Sequence, residues 1–224
     1  KRNLIMALPT YLELVNDILV RMREPEVTTV QANVLSKLVG TLVNDAKKQV
    51  ENAYNWNALT TTITVNTEAD VFNYDLAGMG DRYKVLDALN VTQKIVMRNV
   101  SARLMNNRFL ISSTQSGSPF EYSFNGTNSS TGNTLVDVYP IPSGVEILRF
   151  NCFVPQEKLV ADTDVLITPE EPVTLGAYAR ALVERGEDGG LNSSEAYGLY
   201  KSSLADSIAM EASRYIEEDG WEAV

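Results

Sequence analysis

The stretch that decides the fold runs from Thr28 to Trp56 and reads TTVQANVLSKLVGTLVNDAKKQVENAYNW. Its apolar residues recur at steps of three or four, which is the period of an amphipathic helix. They are Val30, Val34, Leu38, Leu42, Ala46, Val50 and Ala53, widened into a face by Leu35, Val39 and Val43. The sequence therefore predicts one long helix that other helices must cover. Lys47 and Glu51 are spaced to form an ion pair on its surface, worth ~0.2–0.5 kcal/mol.

Further helices are predicted on both sides of this element. Residues 10–13, Thr-Tyr-Leu-Glu, match a capping box and begin a helix that ends before Pro25. A second flanking helix begins near Pro172, and Gly176 with three alanines keeps it slim, so that a partner can approach closely. The last helix is predicted to pack through Tyr197, Tyr200, Leu204, Ile208, Ala212 and Tyr215. Gly40, inside the long helix, is expected to admit a neighbouring helix.

Between these helices, the pattern changes to the alternation of apolar and polar residues that is typical of strands. The predicted strands are 59–65, 71–76, 83–91, 119–124, 135–139 and 145–153, of which the last three are expected to form an antiparallel meander. The predicted fold class is α+β. It consists of a bundle of about four helices, two N-terminal and two C-terminal, around an inserted antiparallel β-sandwich or barrel. The bundle is assigned residues 1–57 and 166–224, and the β insert residues 58–165.

Composition excludes several functions. The chain of 224 residues has a formal charge of −10, which argues against a protein that binds nucleic acid by neutralising phosphates. It contains no histidine and one cysteine, so it has no Ser-His or Cys-His nucleophile, intrachain disulfide or cysteine-based zinc site. Cys152 lies in an apolar run and is expected to be a buried small hydrophobe. No segment is long and apolar enough to be a signal peptide or to span a membrane.

Motifs that carry chemistry are weak or incomplete. Residues 162–164, Asp-Thr-Asp, resemble the opening of a calcium loop but lack its glycine and closing glutamate. Gly78 and Gly80 lack the third glycine of a dinucleotide fingerprint. We therefore predict no catalytic residue, no cofactor and no metal. Because the chain has 29 acidic residues, a pair of carboxylates that cleaves a glycosidic bond stays open as an alternative.

Three stretches together resemble a known family. Residues 14–19, LVNDIL, followed by 23–27, REPEV, resemble the opening helix and turn of the head-to-tail adaptors of short-tailed phages, also called tail tubular protein A. Arg23 stands where that family usually has glycine, and Glu26 where it has a second proline. Residues 55–57, Asn-Trp-Asn, resemble the end of its long helix. The stretch from Leu166-Ile-Thr-Pro169 to Glu184-Arg-Gly186 resembles its return into the last helical hairpin.

This resemblance implies a structural protein of the virion without enzymatic activity. Such adaptors form a ring of about twelve copies between the portal protein and the tail nozzle protein, and extend the DNA channel. Genomic DNA passes through without specific binding, and no membrane is involved. The alternatives are a carboxylate-dependent, tail-associated glycan hydrolase and a β-rich receptor-binding virion protein.

The C-terminal segment 214–224, RYIEEDGWEAV, is the candidate docking segment. Acidic residues at a helix C-terminus are unfavourable with the helix dipole, so the helix is expected to fray after Tyr215 unless a partner holds it. Trp221 is a large anchor of the kind found at interface hot spots. Either Trp221 folds back onto its own hairpin, or Tyr215 and Trp221 dock on the portal, as the resemblance implies.

Overall fold

The computed structural model describes residues 8–78, 80, 82–186 and 191–214. The predicted α+β class is confirmed: helices stand at both ends of the chain and largely antiparallel sheets lie between them. Among the described residues, those up to Leu59 and from Gln156 onward form one compact unit, and Thr60–Pro155 form another. We call these the helical unit and the β unit.

The helices of the described chain are numbered in order. They are α1 (Tyr11–Arg21), α2 (Val34–Ala53), α3 (Ala102–Asn106), α4 (Glu170–Arg185) and α5 (Leu191–Ala212), of which α3 belongs to the β unit. In the helical unit, α4 packs against both α2 and α5, and α1 packs against α2 and α4. The predicted capping box of α1 is confirmed, because Thr10 and Glu13 exchange hydrogen bonds.

The long helix is shorter than predicted. It begins at Val34 rather than Thr28, because the side chains of Asn33 and Ser36 each accept from the other's backbone N–H and cap the helix there. The predicted apolar stripe is also wrong at this end, since Val34 is 85% exposed and Leu38 38% exposed. In the middle of the helix, Leu42, Val43, Ala46 and Val50 are buried as expected, whereas Ala53 at its end is exposed.

The ion pair predicted on the surface of α2 is buried instead. Lys47 Nζ lies 2.9 Å from Glu51 Oε1, and both side chains are almost completely inaccessible. The connector that follows the β unit covers them: Lys47 donates to the carbonyl of Gln156, and Glu51 accepts from its N–H. Asn44 makes two further hydrogen bonds with this connector: it donates to the carbonyl of Leu159 and accepts from its N–H.

The packing stripe predicted for α5 is confirmed at Tyr200, which is buried, while Leu204 and Ile208 are half-buried. It is wrong at Tyr197 and Ala212. The residues that this helix buries are Ser193, Ala196, Tyr200, Ser203 and Glu211. Tyr197 is 49% exposed and Ala212 is exposed, while Tyr215 lies outside the described residues. The small residues of α4 explain the difference. A Cβ added at Gly176 would lie 3.1 Å from the ring of Tyr200 and 3.4 Å from Ala46, so the slim helix serves close packing within the chain.

The β unit is a sandwich of two sheets that share one core. The strands are β1 (Thr60–Asn66), β2 (Asn73–Leu76), β3 (Lys84–Asn90), β4 (Ile95–Val96), β5 (Arg98–Asn99), β6 (Ser116–Gly117), β7 (Glu121–Thr127), β8 (Thr134–Tyr139), β9 (Ile141–Pro142) and β10 (Ile147–Phe153). One sheet has the order β1-β10-β3-β4, and the other β2-β8-β7-β5. Neighbouring strands are antiparallel except for the pairs β5–β7 and β6–β9. Residues of both sheets, among them Leu148 and Val136, lie in a single cluster.

The predicted three-stranded meander is wrong in its last strand. β7 and β8 pair as expected, but β10 pairs with β1 and β3 in the opposite sheet. The segment after β8 is not a simple turn, because it contains β9, which pairs with β6. From its own sheet β10 then directs Leu148, Phe150 and Cys152 into the shared core. The expected burial of Cys152 is confirmed.

Candidate functional site

Two acidic side chains of the β unit, Glu121 and Glu146, are buried. Glu121 lies 2.6 Å from the guanidinium of Arg98 and 3.5 Å from that of Arg108. Glu146 accepts hydrogen bonds from the side chains of Asn90, Gln93 and Ser118. Glu146 is therefore held by several donors, as expected for a group that stabilises the fold. Glu121 is paired with arginine, but its Oε2 atom is buried without a hydrogen bond to any described residue.

The weak motifs also have local structural roles. Asp162 accepts from the backbone N–H of Val30, and its hydrogen bonds with Thr29 and Val30 hold the pKa of this carboxyl below its usual range. Asp164 accepts from the N–H groups of Val160 and Ala161. Both carboxylates thus fix loops. Across the described ranges, no group of three or more acidic or cysteine side chains could hold a metal ion. No described helix is long and apolar enough to cross a membrane.

Gly78 and Gly80 follow β2 and both have positive φ angles, 86° and 63°. These angles lie in the left-handed region that glycine adopts without strain. The two glycines therefore serve the turn after β2.

A basic cleft of about 670 Å³ lies at the end of α1. Its arginines are Arg21, Arg23 and Arg185, in a chain that is otherwise acidic. Arg185 donates to the carbonyl of Met22 and pairs with Glu24 at 2.9 Å. Arg23 has a φ of 61°, a conformation that glycine adopts without strain, so the structure explains why glycine suits this position in the family that the sequence resembles.

A second cleft of about 490 Å³ lies in the helical unit, next to the first and the last residue that the structure describes. Leu8 and Arg214 line it, together with Trp56, Pro169 and Met210. The indole of Trp56 is buried and donates to the carbonyl of Val50. The predicted docking residues Tyr215 and Trp221 lie outside the described residues.

Both units expose several large apolar side chains. In the helical unit, Val34 and Leu38 are exposed on α2, and Val183 and Tyr197 are exposed beside each other on α4 and α5. In the β unit, Leu110 and Ile111 end a π-helical turn and are each 79% exposed. Large apolar side chains in such patches are typical of surfaces that bind other proteins.

Periodicity places Val34, Leu38 and Tyr197 in buried stripes, so the exposure of these residues was not predicted from the sequence. One signal in the sequence could have shown it for Val34, because the Asn33 and Ser36 pair is a helix start.

The profile of the family described as SU10 adaptor protein matches residues 9–219. The chain belongs to the SU10 adaptor protein family. This assignment confirms the phage adaptor predicted from the sequence, with a structural role in the virion and contacts with other head or tail proteins. No curated protein matches the chain. For an SU10 adaptor, the surfaces that matter are those that bind neighbours, and the exposed apolar patches of the two units are the candidates.

Proposed function

We propose that this SU10 adaptor is a head-to-tail connector of the tail tubular protein A type. In this proposal a closed ring of about twelve copies lies between the portal and the tail nozzle and extends the DNA channel. The observation that carries the proposal is the family match over residues 9–219, which spans nearly the whole chain. In chain order, helices precede and follow a β insert, as the resemblance to these adaptors implies. The ring and its neighbouring proteins in this proposal rest on that resemblance.

Subunit contacts are proposed to involve both units. A monomeric soluble protein rarely leaves large apolar side chains clustered at its surface, because their burial is favourable. Here the helical unit exposes Val183 beside Tyr197, and the β unit exposes Leu110 beside Ile111. A ring gives each patch a neighbouring subunit to pack against.

The charge of the chain supports passage of DNA rather than capture of it. Proteins that hold DNA without sequence preference use lysine and arginine to replace counterions on the phosphates. This chain has 29 acidic and 19 basic residues, so its summed field repels a polyanion. We propose that genomic DNA slides past the ring without specific binding.

Portal docking is proposed for the C-terminal segment that carries Tyr215 and Trp221. This segment follows Arg214, which lines the apolar cleft around Trp56 and Met210. Tryptophan and tyrosine are enriched among the residues that carry most of the binding energy in interfaces. The competing arrangement is that Trp221 packs into the helical unit of its own chain.

Imaging of the purified chain bound to the portal protein of its phage tests the ring. The proposal predicts closed cyclic symmetry, and a single bound copy or an open arrangement contradicts it. A turnover assay on polysaccharide or murein tests the remaining alternative. Turnover that disappears when one carboxylate is removed would favour the glycan hydrolase over a purely structural adaptor.

A further inference from the structure

Strands β1 and β4 form the two edges of one four-stranded sheet, which has the order β1-β10-β3-β4. Among the residues that the structure describes, no strand pairs with the outer side of either edge. Strand β1 has seven residues, TTTITVN, without a proline or a charged side chain. Proline and charge are among the usual means by which proteins block the edge of a sheet. An edge without them can accept a further strand through its main-chain groups.

The main-chain groups that point outward from β1 follow from its ladder with β10. Directly after the strand, the N–H of Thr67 donates to the carbonyl of Glu146 and so continues the pairing of β1 with β10. In an antiparallel ladder, only every second residue directs its N–H and C=O to the neighbouring strand. The residues in step with Thr67 therefore bond to β10. The alternate residues direct these groups outward and have exposed side chains. They are Thr60, Thr62, Thr64 and Asn66.

Val96 of β4 has the corresponding position at the opposite edge of the sheet. Met97 donates its N–H to β3, so by the same alternation Val96 directs its N–H and C=O away from β3. The side chain of Val96 is 72% exposed. In the register of the sheet, Val96 lies opposite Leu89, which lies opposite Arg149. Because Arg149 lies opposite Thr64 on β1, Val96 and Thr64 are on the same face of the sheet, at its two edges.

The directions of the strands make the two edges complementary. Every neighbouring pair in this sheet is antiparallel, so β4 runs opposite to β1. A second copy placed with its β1 beside β4 of the first therefore continues the antiparallel sheet in the same orientation. We propose that the sheet continues from one copy to the next, with β4 of one subunit paired to β1 of its neighbour. This inference rests on the proposed ring.

The pairing joins two different surfaces of the chain, so it is head-to-tail and can close a ring around an axis. Val96 exchanges main-chain hydrogen bonds with one of the outward-facing residues of β1. Its side chain packs against the threonines of that edge, as β-branched side chains do in cross-strand pairs. Since β4 has only two residues, the pairing provides few bonds. It specifies which surfaces meet, and the apolar patches of both units contribute further buried area.

Proline substitutions at the two edges test the pairing. Thr64→Pro and Val96→Pro each remove an outward N–H that has no partner within the described chain. Each variant should therefore stay folded, which thermal unfolding of the free chain checks. Each should reduce the number of closed rings on the portal at least about tenfold, counted by imaging and by native mass measurement. Assembly of either proline variant at the unmodified level overturns the pairing.

The matched controls change the same two positions but keep the N–H. Thr64→Val and Val96→Thr also keep a β-branched side chain that suits a strand, and both should assemble like the unmodified chain. Loss of rings in these controls to the same extent as in the proline variants would assign the effect to the side chains and overturn the main-chain pairing.

Crosslinking gives an independent measurement that does not depend on how well the proline variants fold. Thr64→Cys and Val96→Cys are placed in differently tagged copies and joined by a short bismaleimide, while the native Cys152 is buried. A crosslink between the two tags in assembled rings supports the contact. Its absence overturns the contact and would indicate that a strand of another protein occupies β1.

The control for the crosslink replaces Val96→Cys with Ser130→Cys, an exposed position in the turn between β7 and β8 of the other sheet. This pair should not crosslink, and equal crosslinking of both pairs overturns the proposal. If the unmodified chain forms no ring on the portal, the proposed function fails before this inference is reached. If rings form but the proline variants assemble normally, only this inference fails.

Discussion

Lys47 and Glu51 form a buried ion pair on successive turns of α2, and together they bind both backbone groups of Gln156. Gln156 is the residue at which the chain re-enters the helical unit after β10. The pair thus fixes the start of the connector on α2. A charge on a surface helix contributes little, whereas a buried charge that loses its partner is strongly destabilising.

Lys47→Met should therefore lower the free energy of unfolding by about 3–5 kcal/mol, because it leaves the carboxylate of Glu51 buried without its cation. The matched control is Lys48→Met, an exposed position on the same helix, with an expected change within ~0.5 kcal/mol. Urea titration of the helical signal measures both. The double variant Lys47→Met/Glu51→Leu should cost less than the sum of the single changes. Equal effects of Lys47→Met and Lys48→Met would contradict the role given to the pair.

Gly40 is predicted to be intolerant of alanine although it lies inside a helix. A Cβ at this position would meet the hydroxyl of Tyr11 on α1 and would lie 2.8 Å from a methyl group of Val30. This overlap outweighs the gain in helix propensity of about 1 kcal/mol. Gly198→Ala on α5 provides the matched control, because no atom of the described residues lies within 4 Å of the added Cβ, and it should be stabilising by up to about that amount.

A second substitution identifies the cause of the effect at Gly40. Tyr11→Phe removes the oxygen that the new Cβ would meet, so it should recover part of the stability lost in Gly40→Ala. Thermal unfolding of the four variants measures this. Stabilisation by Gly40→Ala to the same extent as by Gly198→Ala would show that α1 does not approach α2 as described.

Cys152 should be almost unreactive in the folded protein. Burial, together with the nearby charge of Asp87, raises the pKa of its thiol to about 11. Only the thiolate reacts, so at pH 8 about one molecule in a thousand is competent even if reagent gains access. Labelling with an aromatic disulfide should be slow at pH 8 and immediate in denaturant. Rapid stoichiometric labelling of the folded chain would contradict the burial.

The Cys152 thiol should also make the free energy of unfolding decrease at alkaline pH. The pKa of this thiol is 9.0 in the unfolded chain and about 11 in the folded chain. The stabilisation that it contributes is therefore complete below pH 9 and is lost between pH 9 and 11. Because tyrosines also titrate in this range, the contribution of the thiol is the difference between the unmodified chain and Cys152→Ala. A loss of stability in this window that is the same in both chains would assign the effect to the tyrosines.

The helices and strands follow from local rules, which is why the sequence predicts most of them. The capping box at Thr10 and Glu13 and the alternation in β1 act within a few residues. The predictions that were wrong concern which face of a helix or which sheet partner a segment packs against. Periodicity places Tyr197 with Tyr200, yet only Tyr200 is buried, because Gly176 leaves room for its ring. Likewise, β10 joins the sheet of β1 through a pairing that no local pattern specifies.

The exposed apolar surfaces were harder to predict than the fold for the same reason. Val34 and Leu38 belong to an apolar stripe in the sequence, and only the structure shows that they are exposed. The family resemblance gave the role of phage adaptor, since that depends on the order of the helical motifs. The resemblance did not identify a binding surface, because the packing of the folded chain decides which residues are exposed to neighbouring proteins.

The C-terminal docking proposal predicts a separation of stability from binding. Truncation after Tyr215, and Trp221→Ala in the full chain, should leave the melting temperature unchanged and abolish binding to heads that carry the portal, because the anchor is lost. Phe120→Ala, a change at an exposed aromatic residue of the β unit, serves as the matched aromatic control. A large drop in melting temperature on truncation would show that Trp221 packs on its own chain. Full binding by the truncated protein would also contradict the proposal.

The most direct test of the central claim is the symmetry of the complex between this chain and its portal, determined by single-particle imaging. We expect a closed ring of about twelve copies in which each subunit contacts the next through both units. A complex with far fewer copies, or one without closed symmetry, would contradict it.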